Sequence, residues 1–382
     1  DPKPGGGGGA GPKPGSDGGG GGGANRSAAS PSFVLLWSTA AASFTLRARR
    51  CLESIFYHHP DARVEVYANL LRLDFFSPFA ASGYHVQVRR YDTASLLAGT
   101  PAEPWAARLR EWQSGPYYYS HQTDVLRFAL LFRSGGAYLD FDVILARPLR
   151  LVTPAQAAPA TPAVAAAPAA LAVPNGHGYS YTVSSAGAAA RGPRPLLRDA
   201  LGIESYSGLG GLRGPTLNGA ILVFGRGSRF LWNCLDEFAA TYMADRWSWN
   251  GPELLTRVAA RCACACAACG GGDGGSGGGG GSGGDGGDGG GGSEGGGGGC
   301  DGAAVQVEPR ESFYPIYWRG YEKHADGRHP RDDQAMWETI SARSYAVHVW
   351  SRKTAGIVFA NGSLLHRLHN QWTVLPTREN CN

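Results

Sequence analysis

Apolar positions along this chain fall into short runs separated by polar turns, and their spacing switches between a helical and a strand period. Phe33 to Trp37 is an unbroken apolar run, which suits a strand buried on both faces of a parallel sheet. A helical pattern follows from Ser43, a candidate N-cap, to about Tyr57, and Pro60 ends it. Arg63 to Ala68 and His85 to Tyr91 alternate like strands, with a short helix or turn expected between Leu70 and Phe79. Pro101 to Trp112 reads as a helix that packs Trp105 and Leu109. From Ser120, a candidate N-cap, Val125, Leu126, Ala129, Leu130 and Phe132 form an apolar stripe at helical spacing. Gly135 and Gly136 stop that helix, and Ala137 to Val143 continues as a strand. The alternation of strand and helix predicts an α/β domain with a doubly wound, mostly parallel sheet.

The second half adds a strand at Leu217 to Phe224 and an amphipathic helix at Phe230 to Met243. Trp247 to Val258 reads as an aromatic loop running into a helix with Pro252 in its first turn. Phe313 to Trp318 is an aromatic island. Ser344 to Gly356 reads as a strand carrying His348 and Trp350, followed by a basic loop with Arg352 and Lys353.

Composition limits how much of the chain packs. Of 382 residues, 59 are glycine and 24 proline, and they cluster. Residues 1–30 read as a disordered Gly/Pro-rich stalk or linker, 152–214 as an Ala/Pro-rich insertion, and 268–302 as a Gly-rich disordered insertion. The rest of 31–382 suffices for one domain. The net charge of +4 is mild, and no basic run extends beyond Arg47, Arg49 and Arg50, which argues against nucleic acid. No run of eighteen apolar residues is present. The chain begins with Asp1 rather than Met, so a signal or anchor is expected to precede it. Among the eight cysteines, Cys262, Cys264, Cys266 and Cys269 lack a cleanly spaced second pair and a nearby histidine. Disulfides in an oxidising compartment fit them better than zinc. Sequons at Asn25 and Asn361 agree with a lumenal setting.

The candidate chemistry lies at the exit of the fourth strand. Asp140 and Asp142 are one residue apart, so an extended backbone sets both on one side, with Phe141 facing away. Adjacent carboxylates repel unless a cation sits between them. Oxygen ligands suit Mg²⁺ or Mn²⁺, which commonly bridge to phosphates. Asp124 and Arg127, three apart, share a helix face. Taken singly, these residues could equally be a surface ion pair and two turn formers.

The string DxxR–GG-Y-DxD, followed in order by LNGAILVF, NGPELLTRV, FYPIYW and YAVHVWSRK, resembles the α-1,4-glycosyltransferase family, over about Phe33 to Leu368. The resemblance implies a GT-A fold with a Rossmann-like nucleotide-binding half. It implies Mn²⁺ (or Mg²⁺) and a UDP-sugar donor. The expected reaction is transfer of galactose or N-acetylglucosamine, in α-linkage and with retention, to a glycan or glycolipid. It also implies a type II membrane protein of the Golgi lumen, its anchor outside this chain. Carried over residue by residue, Asp140, Asp142 and His348 would hold the metal, and Asp140 would also contact ribose. Lys353 or Arg352 would face the diphosphate, and Asp124 and Arg127 would organise the donor sugar or brace the DxD strand. Asn250 and Asn218 would act at the reacting sugar face, although Asn before Gly is also turn chemistry. Trp247 and Trp249 are expected against the acceptor. Cys262 is expected to pair with Cys300. The alternatives are a GDP-mannose-dependent sphingolipid mannosyltransferase and a non-catalytic carbohydrate-binding relative.

Overall fold

The computed structural model describes residues 31–151, 199–207, 214–269 and 305–376. The segment 1–30, most of the two proposed insertions, and Cys300 lie outside these residues. Nine strands are named here in chain order: β1 (Ser32–Leu36), β2 (Arg63–Tyr67), β3 (His85–Arg89), β4 (Gly136–Leu139), β5 (Val143–Leu145), β6 (Ala200–Ser205), β7 (Thr216–Phe224), β8 (Gln306–Glu308) and β9 (Ala346–His348). Seven of them form one sheet in the order β3-β2-β1-β4-β7-β6-β8, and β5 pairs with β9 in a second, two-stranded sheet. Neighbours are parallel from β3 to β4 and between β6 and β8, while β7 runs antiparallel to both of its neighbours.

The α/β reading therefore holds, with one reversed strand in a mostly parallel sheet. The half β3-β2-β1-β4 has the strand order of a nucleotide-binding unit, in which ligands sit beyond the carboxyl ends of the strands. The central strands β1, β4 and β7 are apolar on both faces because helices cover both, while the outer strands β2 and β3 bury one face. On one side, the helix Leu46–His58 packs Leu52, Ile55 and Phe56 against Leu35, Val64, Ala137 and Ile221. On the other, the helices Tyr118–Ser134, Arg229–Thr241 and Pro252–Cys269 bury Val34, Tyr138, Leu222 and Phe224. A third apolar cluster, with Ile144, Val347, Ile340 and Leu365, lies behind the β5–β9 pair.

Several boundaries differ from the sequence pattern. The helix that carries Asp124 and Arg127 starts at Tyr118, two residues ahead of Ser120, and Tyr117 at its N-cap makes no side-chain capping bond. Pro101 to Trp112 splits into two short helices, Glu103–Ala106 and Leu109–Trp112. The segment read as the insertion 152–214 contains β6, all six of whose residues are buried between β7 and β8. Among the described residues no helix is long and apolar enough to cross a membrane.

Candidate active site

The site forms where β4 ends and the chain turns into β5. The Asp140 amide donates to the Ala220 carbonyl of β7 at 2.9 Å, and the Val143 amide donates back to the Asp140 carbonyl at 3.1 Å. Asp140 and Asp142 therefore lie in a turn rather than in continuous strand. Phe141 still points away, edge-on to Trp37 and Phe44 at 5.2 and 5.4 Å.

Antiparallel pairing sets Val143 opposite His348. It brings the late strand to the early turn, and the Val349 amide donates to the Asp142 carbonyl at 2.8 Å. His348 Nε2 lies 3.0 Å from Asp142 Oδ1. Trp350 then adopts left-handed backbone, with φ 53°, which costs a non-glycine residue about 1–2 kcal/mol. That reversal carries the Ser351 amide to Asp142 Oδ2, at 2.9 Å. Trp350 is held by its indole N–H, which donates to the Ile316 carbonyl at 2.9 Å, and by its ring against His348 at 4.1 Å. Strain at this position buttresses the Asp142 side chain.

Burial works against the charge of Asp142, but His348 and the Ser351 amide outweigh it and hold the carboxyl below its ordinary value. Burial likewise disfavours a charged His348, and Asp142 more than compensates, which raises the imidazole. One ligand atom each from Asp140, Asp142 and His348 lies within 4.8 Å of the others. The far nitrogen, Nδ1, is buried without a hydrogen-bond partner among the described residues. Two carboxylates and one imidazole form a mixed oxygen–nitrogen set that fits a divalent ion such as Mn²⁺.

Behind Asp140 sits a buried charged layer. Arg127 lies 3.3 Å from Asp124 Oδ1 and 3.7 Å from Asp140 Oδ1, with its guanidinium 5.0 Å from the Tyr138 ring centroid. The Tyr138 hydroxyl donates to Asp140 Oδ1 at 2.5 Å. Burial pushes Asp124 up to about 6; Arg127 pulls it down and Asp140 adds to the rise. Burial opposes the charge of Arg127 too, but Asp140, Tyr138 and Asp124 together raise it. Two glycines make room for this layer. A Cβ on Gly219 would come 2.9 Å from an Arg127 nitrogen, and one on Gly251 would come 2.6 Å from Asp124 Oδ2.

The remaining candidates divide. Asn218 sits half-buried near the start of β7 at the carboxyl edge, close to Asp140. Arg352 and Lys353 are exposed on the short helix Ser351–Thr354, with Lys353 Nζ 5.0 Å from the Trp318 ring centroid. Asn250 is engaged within its own loop. It is fully buried, its Nδ2 donates to the Met243 carbonyl at 2.6 Å, and its Oδ1 accepts from the Met243 amide at 3.1 Å. The carboxamide thereby closes the aromatic loop. Trp249 is similarly engaged, between Arg246 and Arg257 at 4.5 and 3.9 Å, with its N–H donated to the Thr241 carbonyl. Trp247 stays 46% exposed. Sequence reasoning missed Glu204, a buried carboxylate on β6 bonded to Asn218. The buried run ALGIES was the available signal, but it lay in the tract read as insertion.

Comparison with known proteins agrees with this geometry. Residues 46–159 match the glycosyltransferase sugar-binding region containing the DXD motif, and residues 223–271 and 294–372 match the α-1,4-glycosyltransferase conserved region. An uncharacterised protein of Arabidopsis thaliana is 29% identical over 59% of this chain and 28% of its own length. The lactosylceramide 4-alpha-galactosyltransferase of Mus musculus is 26% identical over 84% of this chain and 68% of its own. The chain thus spans little more than a quarter of the plant relative. Among solved structures, the PaToxG glycosyltransferase superposes with a TM-score of 0.37 at 12% identity, covering 60% of this chain and 68% of that one. The DXD match covers Asp140 and Asp142 and the second match covers His348, so the two matched regions meet at one set of candidate metal ligands, and in both regions the chain is similar to DXD-containing α-1,4-glycosyltransferases.

Proposed function

We propose that this protein transfers a hexose, galactose or N-acetylglucosamine, from a UDP-sugar to a glycan or glycolipid acceptor, in α-linkage and with retention. The observation that carries this reading is the convergence of Asp140, Asp142 and His348 at the carboxyl edge of a nucleotide-binding sheet. Held by these three residues, Mn²⁺ would neutralise the donor diphosphate and make it a better leaving group.

The other groups have separate tasks. The Ser351 N–H holds one oxygen of Asp142 before any ligand arrives, and the His348–Asp142 contact keeps the two candidate ligands together, to be exchanged for bonds to the metal. Arg352 and Lys353, exposed just after that turn, meet the charge that develops on the departing diphosphate. Arg127 holds Asp140 from behind and keeps Asp124 ionised near neutral pH. Asp124 can then accept hydrogen bonds from hexose hydroxyls. Trp247 offers an exposed ring for the acceptor's apolar face. We place the activity in the Golgi lumen. Asn361, in its sequon, is exposed beside the helix Leu364–Gln371 and so is open to a glycan.

The test is release of nucleotide from a panel of UDP-sugars and GDP-mannose, with Mn²⁺ and an acceptor such as lactose. Release from UDP-galactose or UDP-N-acetylglucosamine, abolished in Asp142→Ala, is the expected result. Turnover of GDP-mannose alone would replace the donor assignment, and binding of sugars without any turnover would replace the transferase with a lectin-like role.

A further inference from the structure

Glu204 has no part in the chemistry above, yet it is among the most constrained acids in the molecule. It lies at the carboxyl end of β6, where the register with β7 slips between Ile203 and Ser205. A bulge of this kind re-aims one side chain, and here it turns Glu204 toward Asn218. Glu204 is 7% exposed, and among the described residues the hydrogen-bond donor to its carboxylate is a neutral amide: Asn218 Nδ2 donates to Oε2 at 2.8 Å. Buried carboxylates are ordinarily paired with a cation or a metal, whereas this one is held by the Asn218 amide, with His348 near enough to act on its charge.

The rest of the Asn218 carboxamide is fixed as tightly. Its Oδ1 accepts from the Ala220 amide at 2.7 Å, and the Tyr314 hydroxyl lies 3.2 Å from the Asn218 carbonyl and 3.3 Å from Oδ1, sharing its one proton between them. Tyr314 reaches it because Gly202 lets the ring lie against β6; a Cβ there would come 3.0 Å from the ring. With Oδ1 held by the Ala220 amide and one N–H on Glu204, a single N–H of Asn218 is left. That group sits at the carboxyl edge beside Ala220, whose carbonyl holds the Asp140 amide. Asn218 can therefore offer the carboxyl edge a donor. Glu204 and the Ala220 amide set this together: one takes an N–H and the other holds Oδ1, which fixes which end of the amide faces which way.

We propose that Glu204 is a positioning residue for glycosyl transfer: it orients Asn218 so that one N–H faces an oxygen of the donor hexose. The proposal rests on the transferase reading given above. It assigns Glu204 a hydrogen-bond acceptor's role and not that of a nucleophile.

The test is a double-mutant cycle on the full chain, measuring kcat and KM for the donor, Mn²⁺-dependent UDP affinity by calorimetry, and Tm. Glu204→Gln keeps an acceptor for Asn218 and is expected to stay within about threefold of wild type. Glu204→Ala, or Glu204→Met if the smaller residue lowers Tm, should lose about 10²-fold in kcat, the scale of a misplaced reactant. UDP affinity should hold within about twofold, because the nucleotide is bound elsewhere. Adding Glu204→Ala to Asn218→Ala should slow the enzyme no further, since residues acting through one another are not additive. Three results would overturn the proposal: wild-type rates in the Ala and Met variants, full additivity in the cycle, or a Gln variant as slow as the Ala variant, which would make the charge itself the working group. If the wild-type chain releases nucleotide from no sugar donor while still binding Mn²⁺, the transferase reading fails, and this proposal with it.

Discussion

Asp124→Asn removes a charge that the fold holds at a cost, and its effect can be worked out before it is measured. Burial raises the Asp124 carboxyl to about 6 from an ordinary 3.8. A carboxyl that binds its proton more tightly when folded favours the fold at low pH, and that contribution is lost as pH rises through about 6. The gap between the two values corresponds to about 3 kcal/mol. Above that pH the wild type carries this penalty in full, and the isosteric amide does not. Arg127 keeps Asp140 at 3.7 Å, so no buried cation is stranded. At pH 8 the variant should therefore be more stable by up to about 3 kcal/mol, which is about 1 M in urea midpoint for a slope near 3 kcal/mol per M. At pH 4 Asp124 is protonated in the folded state and about 40% protonated in the unfolded chain, so the difference should shrink to under about 1 kcal/mol. Nucleotide release should meanwhile fall by about 10²-fold, as expected when a donor-facing group loses its charge. Urea titrations at both pH values, beside the release assay, decide the matter. A variant less stable than wild type at pH 8, or a stability difference unchanged between pH 8 and pH 4, would refute the reasoning.

Gly251→Ala should cost about 1–3 kcal/mol in urea unfolding, because the new Cβ would stand 2.6 Å from Asp124 Oδ2 in a packed interior. His369 donates from Nδ1 to the Leu365 carbonyl at 2.8 Å, and burial holds it at about 4. Its contribution is present above 6.5 and lost as pH falls through about 4. Wild-type stability should thus drop about 3 kcal/mol more over that window than that of His369→Leu, as read from unfolding curves at each pH. Mn²⁺ at a hundredfold excess over its dissociation constant should stabilise the protein by about 2.7 kcal/mol. A thermal-shift series should lose that increment in Asp142→Ala and in His348→Ala.

The parts of this protein that could be read from the sequence are those whose partners are near in the chain or whose pattern is long. The strands β1, β2, β3 and β7 appeared where period and apolar runs placed them, because the central strands bury both faces and the outer ones a single face. Asp140 and Asp142 were visible as a pair, since one intervening Phe141 is enough to aim them together. What made them a site, the pairing of β5 with β9, joins residues too far apart for any local pattern to register, and His348 was assigned through family resemblance alone. Asn250 is hard to read for the opposite reason. An Asn before Gly-Pro invites a functional reading, but its partner Met243 lies seven residues back and takes both ends of the amide. Glu204 was hidden by its surroundings, a six-residue strand inside a tract dominated by alanine, proline and glycine.

The bond from His348 to Asp142 closes a loop of 206 residues. The entropy of closing a loop grows only with the logarithm of its length, about 0.6 kcal/mol for each doubling. Lengthening or shortening the chain between these two ligands by some tens of residues therefore alters the free energy of assembling the metal site by well under about 1 kcal/mol. The Gly-rich tract between Cys269 and Cys300 falls inside this loop, as do the residues between Leu151 and Asp199. Selection on the metal site would thus exert almost no pressure on the length of either tract. A lineage could expand or lose them freely, and an engineered chain that joins residue 269 to residue 300 through a short linker should bind Mn²⁺ as the parent does.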